Sequence, residues 1–283
     1  MASIKIISWN VEHFNGTGGI DKNNKQARLD RVERIANTIK AEAPDVFALS
    51  EVEGKIVYSS MTRILPNYVF NITEGRQTQE ILVGVKHGHT AFFSQRNEFK
   101  RSNPSLRPGA LLTITIDDKD IPILFVHLKS MPSPEGFGLR DAMFDKAFNL
   151  KKALDKAARR NGQNASNLIV LGDMNTMGMD YAGREKDIPG KLEIDTIASR
   201  FKRRGMTHLG KNHHATFNNG SNSSYKPSDL DHVFAAKHLN FKSVTDGGFV
   251  DVGGWAKLTR TSDQDKWIND FSDHAPITLT LKV

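Results

Sequence analysis

The 283-residue chain contains no cysteine. That absence excludes a disulfide framework, a thiolate metal site and a cysteine nucleophile. It fits the cytoplasm, with secretion as the alternative if a signal peptide has been removed. Also missing is any run near the roughly 20 apolar residues of a membrane-spanning helix. No signal peptide is evident, since a β-rich segment already begins at Ile4. Neither a fixed-period repeat nor a low-complexity linker breaks the chain. The composition, 38% hydrophobic and 25% charged, is that of a globular protein with a sizeable core. The formal charge of +7 favours polyanionic partners such as nucleic acid or an anionic membrane surface.

Strands alternate with helices along the sequence. Residues 4–11 (IKIISWNV) are β-rich. Over 25–42, Leu29, Val32, Ile35, Ala36 and Ile39 fall on one helical stripe, which Pro44 ends. Residues 45–52 (DVFALSEV) read as a buried strand. Further strands are predicted over 81–85, 110–116, 121–127, 168–171, 231–235 and 277–283. Helices are predicted over 139–160 and 191–203. The apolar face of the former is Ala142, Phe144, Ala147, Phe148, Leu150, Ala153 and Leu154. Long loops remain at 12–24, 128–138, 208–228 and 246–272. This pattern predicts a single α/β domain, sheet packed on sheet with helices outside.

Polar residues recur where these apolar strands end. Asn10 closes the first, Glu51 the second, and His127 closes ILFVH. Asp173 and Asn175 follow NLIVLG, Asp231 opens LDHVFAA, and Asp273-His274 precede APITLTL. If these ends meet, they form an acidic pocket with two imidazoles. Crowded carboxylates repel one another and take up protons unless a cation compensates them. Oxygen ligands without thiolates suit Mg²⁺, Mn²⁺ or Ca²⁺. Asp173 and Asn175, one residue apart, would point the same way in an extended segment.

The ordered set Ser8-Trp9-Asn10-Val11-Glu12, Ser50-Glu51, His127-Leu128-Lys129-Ser130, Gly172-Asp173-Met174-Asn175, Leu230-Asp231-His232-Val233 and Ser272-Asp273-His274-Ala275-Pro276 resembles the endonuclease/exonuclease/phosphatase superfamily. The motif pattern is most similar to pancreatic-type deoxyribonucleases, although their disulfide cysteines are missing. The resemblance spans nearly the whole chain. It implies a four-layer α/β sandwich, one catalytic domain over residues 1–283, and Mg²⁺-dependent phosphodiester hydrolysis, with Mn²⁺ or Ca²⁺ as alternatives.

Under that resemblance Glu51, Asp273 and Asn10 bind the metal. Asp173 orients the attacking water and Asn175 binds a phosphate oxygen. His274 pairs with Asp231, and His127 with Glu80 ahead of the strand ILVGV. Arg107 faces a phosphate. Glu12 is either a second acidic ligand, as in the apurinic branch, or a surface carboxylate. The implied partner is DNA, cut endonucleolytically; the sequence does not give the oligomeric state, and a monomer is the default. The alternative is a phosphodiesterase or phosphatase acting on sphingomyelin-like lipids or small phosphate esters. Trp255, Trp267 and Phe271 either stack on bases or dip into lipid, or else form a packed loop core. His213-His214 lacks a third spaced ligand and reads as a polar loop rather than a zinc site.

Overall fold

A computed structural model describes residues 3–14, 24–100, 102–181, 187–244 and 247–283. In chain order the elements are β1 (Ser3–Phe14), α1 (Lys25–Glu42), β2 (Val46–Val52), α2 (Lys55–Ile64), β3 (Tyr68–Ile72), β4 (Glu80–Lys86), β5 (Thr90–Arg96), β6 (Gly109–Ile116) and β7 (Lys119–His127). There follow α3 (Pro134–Arg160), β8 (Ile169–Asp173), β9 (Gly178–Met179), β10 (Ile188–Pro189), α4 (Gly190–Lys202), β11 (Met206–His208) and β12 (Asp231–Ala236). The last are β13 (Asn240–Phe241), β14 (Val250–Val252), α5 (Thr261–Asp270) and β15 (Ile277–Lys282). No helix among the described residues is long and apolar enough to cross a membrane.

The chain divides into two compact units. One comprises Met1–His89, Lys211–Ser228 and Phe241–Val283; the other comprises Thr90–Gly210 and Asp229–Asn240. The first carries a sheet ordered β13-β15-β1-β2-β4-β3, with β14 added on β15. Within it β1 runs parallel to β2 and antiparallel to β15. α1 and α2 cover one face of this sheet, packing Val32, Ile35, Ile39, Val57 and Met61 onto Trp9, Val11, Phe47 and Leu49. α1 starts where its sequence says it should. The Asn24 side chain accepts the Ala27 N–H, and at the other end Ala43 turns into the left-handed region just ahead of Pro44.

The second unit's sheet is ordered β11-β12-β8-β7-β6-β5, with β7 and β8 parallel. α3 and α4 seal it through Phe144, Phe148, Phe201 and Phe234. α3 begins five residues earlier than predicted, because Ser133 caps it and Pro134 sits in its first turn. Its buried stripe also differs from the predicted one. Ala153 is exposed, whereas Arg140, Met143 and Lys151 are buried. Lys151 can be buried because its ammonium pairs with Asp155.

The predicted loop over 246–272 contains β14 and α5. Its Trp267 and Phe271, partly buried, pack against the first unit's core. Trp255 is buried, and Trp267 stacks between Trp9, at 5.8 Å, and Phe271, at 5.0 Å. Apart from Asn24, the stretch over 16–24 lies outside the described residues.

Candidate active site

In the second unit three strands bring three site residues into one row. His127 of β7 is in register with Asp173 of β8, and Asp173 with Asp231 of β12. Register partners on neighbouring strands share a face, and all three side chains are buried. His127 Nε2 lies 3.5 Å from Asp173 Oδ2. Gly172 makes the row possible. Its φ of +133° and a virtual Cβ only 2.2 Å from the Val126 carbonyl leave room for nothing larger.

Asn175 does not continue an extended segment as the sequence predicted. Its φ of +50° turns the chain, a conformation asparagine tolerates well. The turn still joins the two side chains. Asn175 Nδ2 donates to Asp173 Oδ2 at 3.0 Å and to the Leu128 carbonyl at 3.1 Å, and its backbone N–H donates to Asp173 Oδ1. Asp173 is thus held by donors from its own loop. Arg107 sits half-buried in the turn ahead of β6.

In the first unit, β1 does not end at Asn10 but runs on to Phe14, through a register break opposite β2. Asn10 is in register with Ser50, which brings it beside Glu51. Glu51 Oε1 accepts from Asn10 Nδ2 at 3.1 Å. Its Oε2 accepts from Gln79 Nε2 at 2.8 Å and from the His13 N–H at 2.9 Å. Glu12, His13 and Glu51 all have positive φ, an arrangement rare outside glycine and concentrated at functional sites. Ser272 Oγ donates to the Asn10 carbonyl at 2.8 Å and accepts from the His274 N–H, tying Asp273 and His274 to β1. Trp9 Nε1 donates to the His274 carbonyl at 2.8 Å. Glu80 accepts from Thr73 Oγ1 and Gln77 Nε2. His213 binds the Ala215 carbonyl and packs edge-on against Trp255, a loop contact.

Glu12 carries the clearest electrostatic signature. Burial, then the nearby Asp273 and Glu51, outweigh Arg31 and push its carboxyl pKa up to about 7. Its Oε2 is buried without a hydrogen-bond partner, 4.0 Å from Arg31 Nη2. The linkage has a definite sign. An unfolded Glu12 gives up its proton near pH 4.5 while the folded one keeps it to about 7. Stability is therefore fully present below the lower value and is lost as pH rises through the upper one. In metal-free buffer Tm should fall by several degrees between pH 5 and 8, and Glu12→Gln should flatten that slope. Parallel melting curves of the two proteins check this; equal slopes would show that Glu12 titrates normally.

Sequence reading missed the residues that hold the site residues in place: Gln79 and His13 on Glu51, and the buried Arg31 and Arg140. Only the arginines left a signal, since each falls on the apolar stripe of its helix. Arg31 donates to the carbonyls of Val11, Glu12 and Phe271.

No curated protein matches the chain by sequence. Solved structures do match it in fold. A truncated Caenorhabditis elegans TDP2 is 16% identical with a TM-score of 0.64, covering 99% of this chain and 98% of its own. D. rerio TDP2, complexed with single-strand DNA product, is 14% identical with a TM-score of 0.66 over all of both chains. A mannosyl-6-phosphatase of Bacteroides thetaiotaomicron is 16% identical with a TM-score of 0.60, over 99% of this chain and 100% of its own. At such identities the likeness establishes the fold alone, and the α/β class agrees with the sequence. The Endonuclease/Exonuclease/phosphatase family model matches residues 7–274. With nearly its whole length matched, the chain belongs to the endonuclease/exonuclease/phosphatase family, hydrolases of phosphodiester and phosphate esters.

Proposed function

We propose that residues 1–283 form one catalytic domain, a divalent-metal-dependent nuclease that cuts phosphodiester bonds within DNA. The buried row of His127, Asp173 and Asp231, with Asn175 bonded to Asp173, carries this reading. It places an imidazole beside a carboxylate that its own loop already orients, which is the equipment for moving a proton to or from a phosphoester oxygen. The formal charge of +7 favours a polyanion over a neutral lipid or a sugar phosphate.

The donors around Glu51 fit a hard cation. Glu51, Asp273, Asn10 and Glu12 offer oxygen ligands, and Glu12 Oε2, buried without a hydrogen bond, sits among the carboxylates of Asp273 and Glu51 that raise its pKa. Glu51, Asp273 and Asn10 would hold the ion, with Glu12 beside them. Mg²⁺ there supplies charge neutralisation of the phosphoryl oxygens. The protein's own groups do the rest. Asp173 orients a water, Asn175 and Arg107 bind phosphate oxygens, and His127 and His274 exchange protons with the attacking and leaving oxygens. Asp231 and Glu80 orient imidazoles and support their charged form.

The test is nicking of supercoiled plasmid with Mg²⁺, beside bis-p-nitrophenyl phosphate, mannose 6-phosphate and sphingomyelin. DNA should be nicked. Its affinity should fall steeply with salt, log K dropping linearly with log salt concentration as counterions are released. Binding indifferent to ionic strength would remove DNA as substrate. Turnover of mannose 6-phosphate alone would favour a phosphatase, the activity named for the Bacteroides thetaiotaomicron structure of the same fold.

A further inference from the structure

We propose that Arg140, clamped to Glu193, is a positioning residue that sets the loops following His127 and Asn175. The claim that this placement affects turnover rests on the phosphoester hydrolase reading. Arg140 lies on α3 and is fully buried. A guanidinium has five N–H donors and never deprotonates in a protein, and here all five meet acceptors. Nη1 donates to the carbonyls of Lys129, at 3.0 Å, and Met131, at 3.1 Å. Nη2 donates to the Gly178 carbonyl, at 2.9 Å, and to Glu193 Oε2, at 2.9 Å. Nε donates to Glu193 Oε1 at 2.7 Å.

The acceptors fall in two places. Lys129 and Met131 lie two and four residues after His127; Gly178 lies three after Asn175. Glu193 closes the loop of bonds, because its Oε2 also accepts the Gly178 N–H at 2.7 Å. The Asp180 N–H donates to the Pro132 carbonyl, a further stitch between the same two loops. Gly178 is obligatory here. Its φ is +79°, and a Cβ would stand 1.9 Å from the Ile188 carbonyl.

A buried ion pair is a weak source of stability, and a well-packed apolar pair often serves as well. This guanidinium spends three of its five donors on loop carbonyls, which an apolar pair could not bind. Its product is therefore a fixed register between two loops. A lysine would keep the charge but lose the fork.

Two variants isolate that role: Arg140→Lys, and the neutral pair Arg140→Met with Glu193→Leu. Both should lower kcat on bis-p-nitrophenyl phosphate by about 10- to 100-fold, the scale of a small misplacement of reacting groups. The fall in kcat should exceed any rise in KM, since the disturbance reaches His127 as well as the phosphate-binding Asn175. Hydrogen–deuterium exchange should rise over 128–133 and 174–180 while β7 and β8 stay protected. Normal kcat with normal exchange in the folded neutral pair overturns the proposal. Exchange that rises throughout the sheet also overturns it, since Arg140 would then serve stability alone. If the neutral pair does not fold, Arg140→Lys and Glu193→Gln decide by the same readouts. Should the parent hydrolyse no phosphoester at all, the functional reading fails, and the exchange pattern still decides whether Arg140 sets the loops.

Discussion

Replacing His127 with alanine should lower kcat on DNA by about 10²- to 10⁴-fold, the usual contribution of one general acid or base. His274→Ala should lose a similar factor. Both losses should come with little change in Tm. The β7–β8 register at His127 runs through the backbone and not through the imidazole. Groups that act as a unit lose rate non-additively. The double variant should therefore be far less impaired than the product of the two single losses. Steady-state kinetics on one oligonucleotide substrate, with melting curves as control, measure all three. Near-normal turnover by His127→Ala would make His127 a strand-end structural residue whose pairing with Asp173 is incidental.

Removal of the divalent cation should have the larger effect. Activity should vanish in EDTA and return with Mg²⁺ or Mn²⁺, because the first unit's donors are oxygens without a thiolate. Glu51→Gln should lose most activity and bind Mg²⁺ more weakly. Its amide oxygen can still accept from Gln79 and the His13 N–H, but the carboxylate's charge is gone. Calorimetric titration with Mg²⁺ reads the affinity directly, without reference to turnover. An unchanged affinity would remove Glu51 from the site, and full activity in EDTA would sink the metal-dependent mechanism.

How much of this was legible beforehand depended on range. α1 was readable because its apolar stripe and its stop signal, Pro44, lie close together in the chain. α2 and α5 were not foreseen. α5, TSDQDKWIND, buries mainly Ile268 and the stacked Trp267, and so shows little stripe. The site residues were legible as polar interruptions at strand ends. Their geometry was not. The row of His127, Asp173 and Asp231 depends on register between strands 46 and 58 residues apart, which no local pattern encodes. Asn10 reads as the close of the first strand, yet pairing carries β1 on to Phe14. Arg31 and Arg140 stayed hidden because an arginine on an apolar stripe looks like a flaw until its carbonyl partners are known.

The first unit's central strand has its own consequence, in the order of assembly. β1 pairs with β2, soon after it in the chain, and with β15, with Ser3 opposite Lys282. An early strand must wait for a neighbour made far later in the chain. The second unit draws almost wholly on one continuous stretch and meets no such delay. Pairings this distant in sequence slow folding, because the connecting chain must be closed before any contact rewards it. On the ribosome, Asn10 gains the Ser272 hydroxyl, and the His274 carbonyl gains the Trp9 indole, only once the segment carrying Ser272 and His274 has emerged. Until that segment emerges, the cluster around Glu51 and Asn10 lacks its Asp273 side.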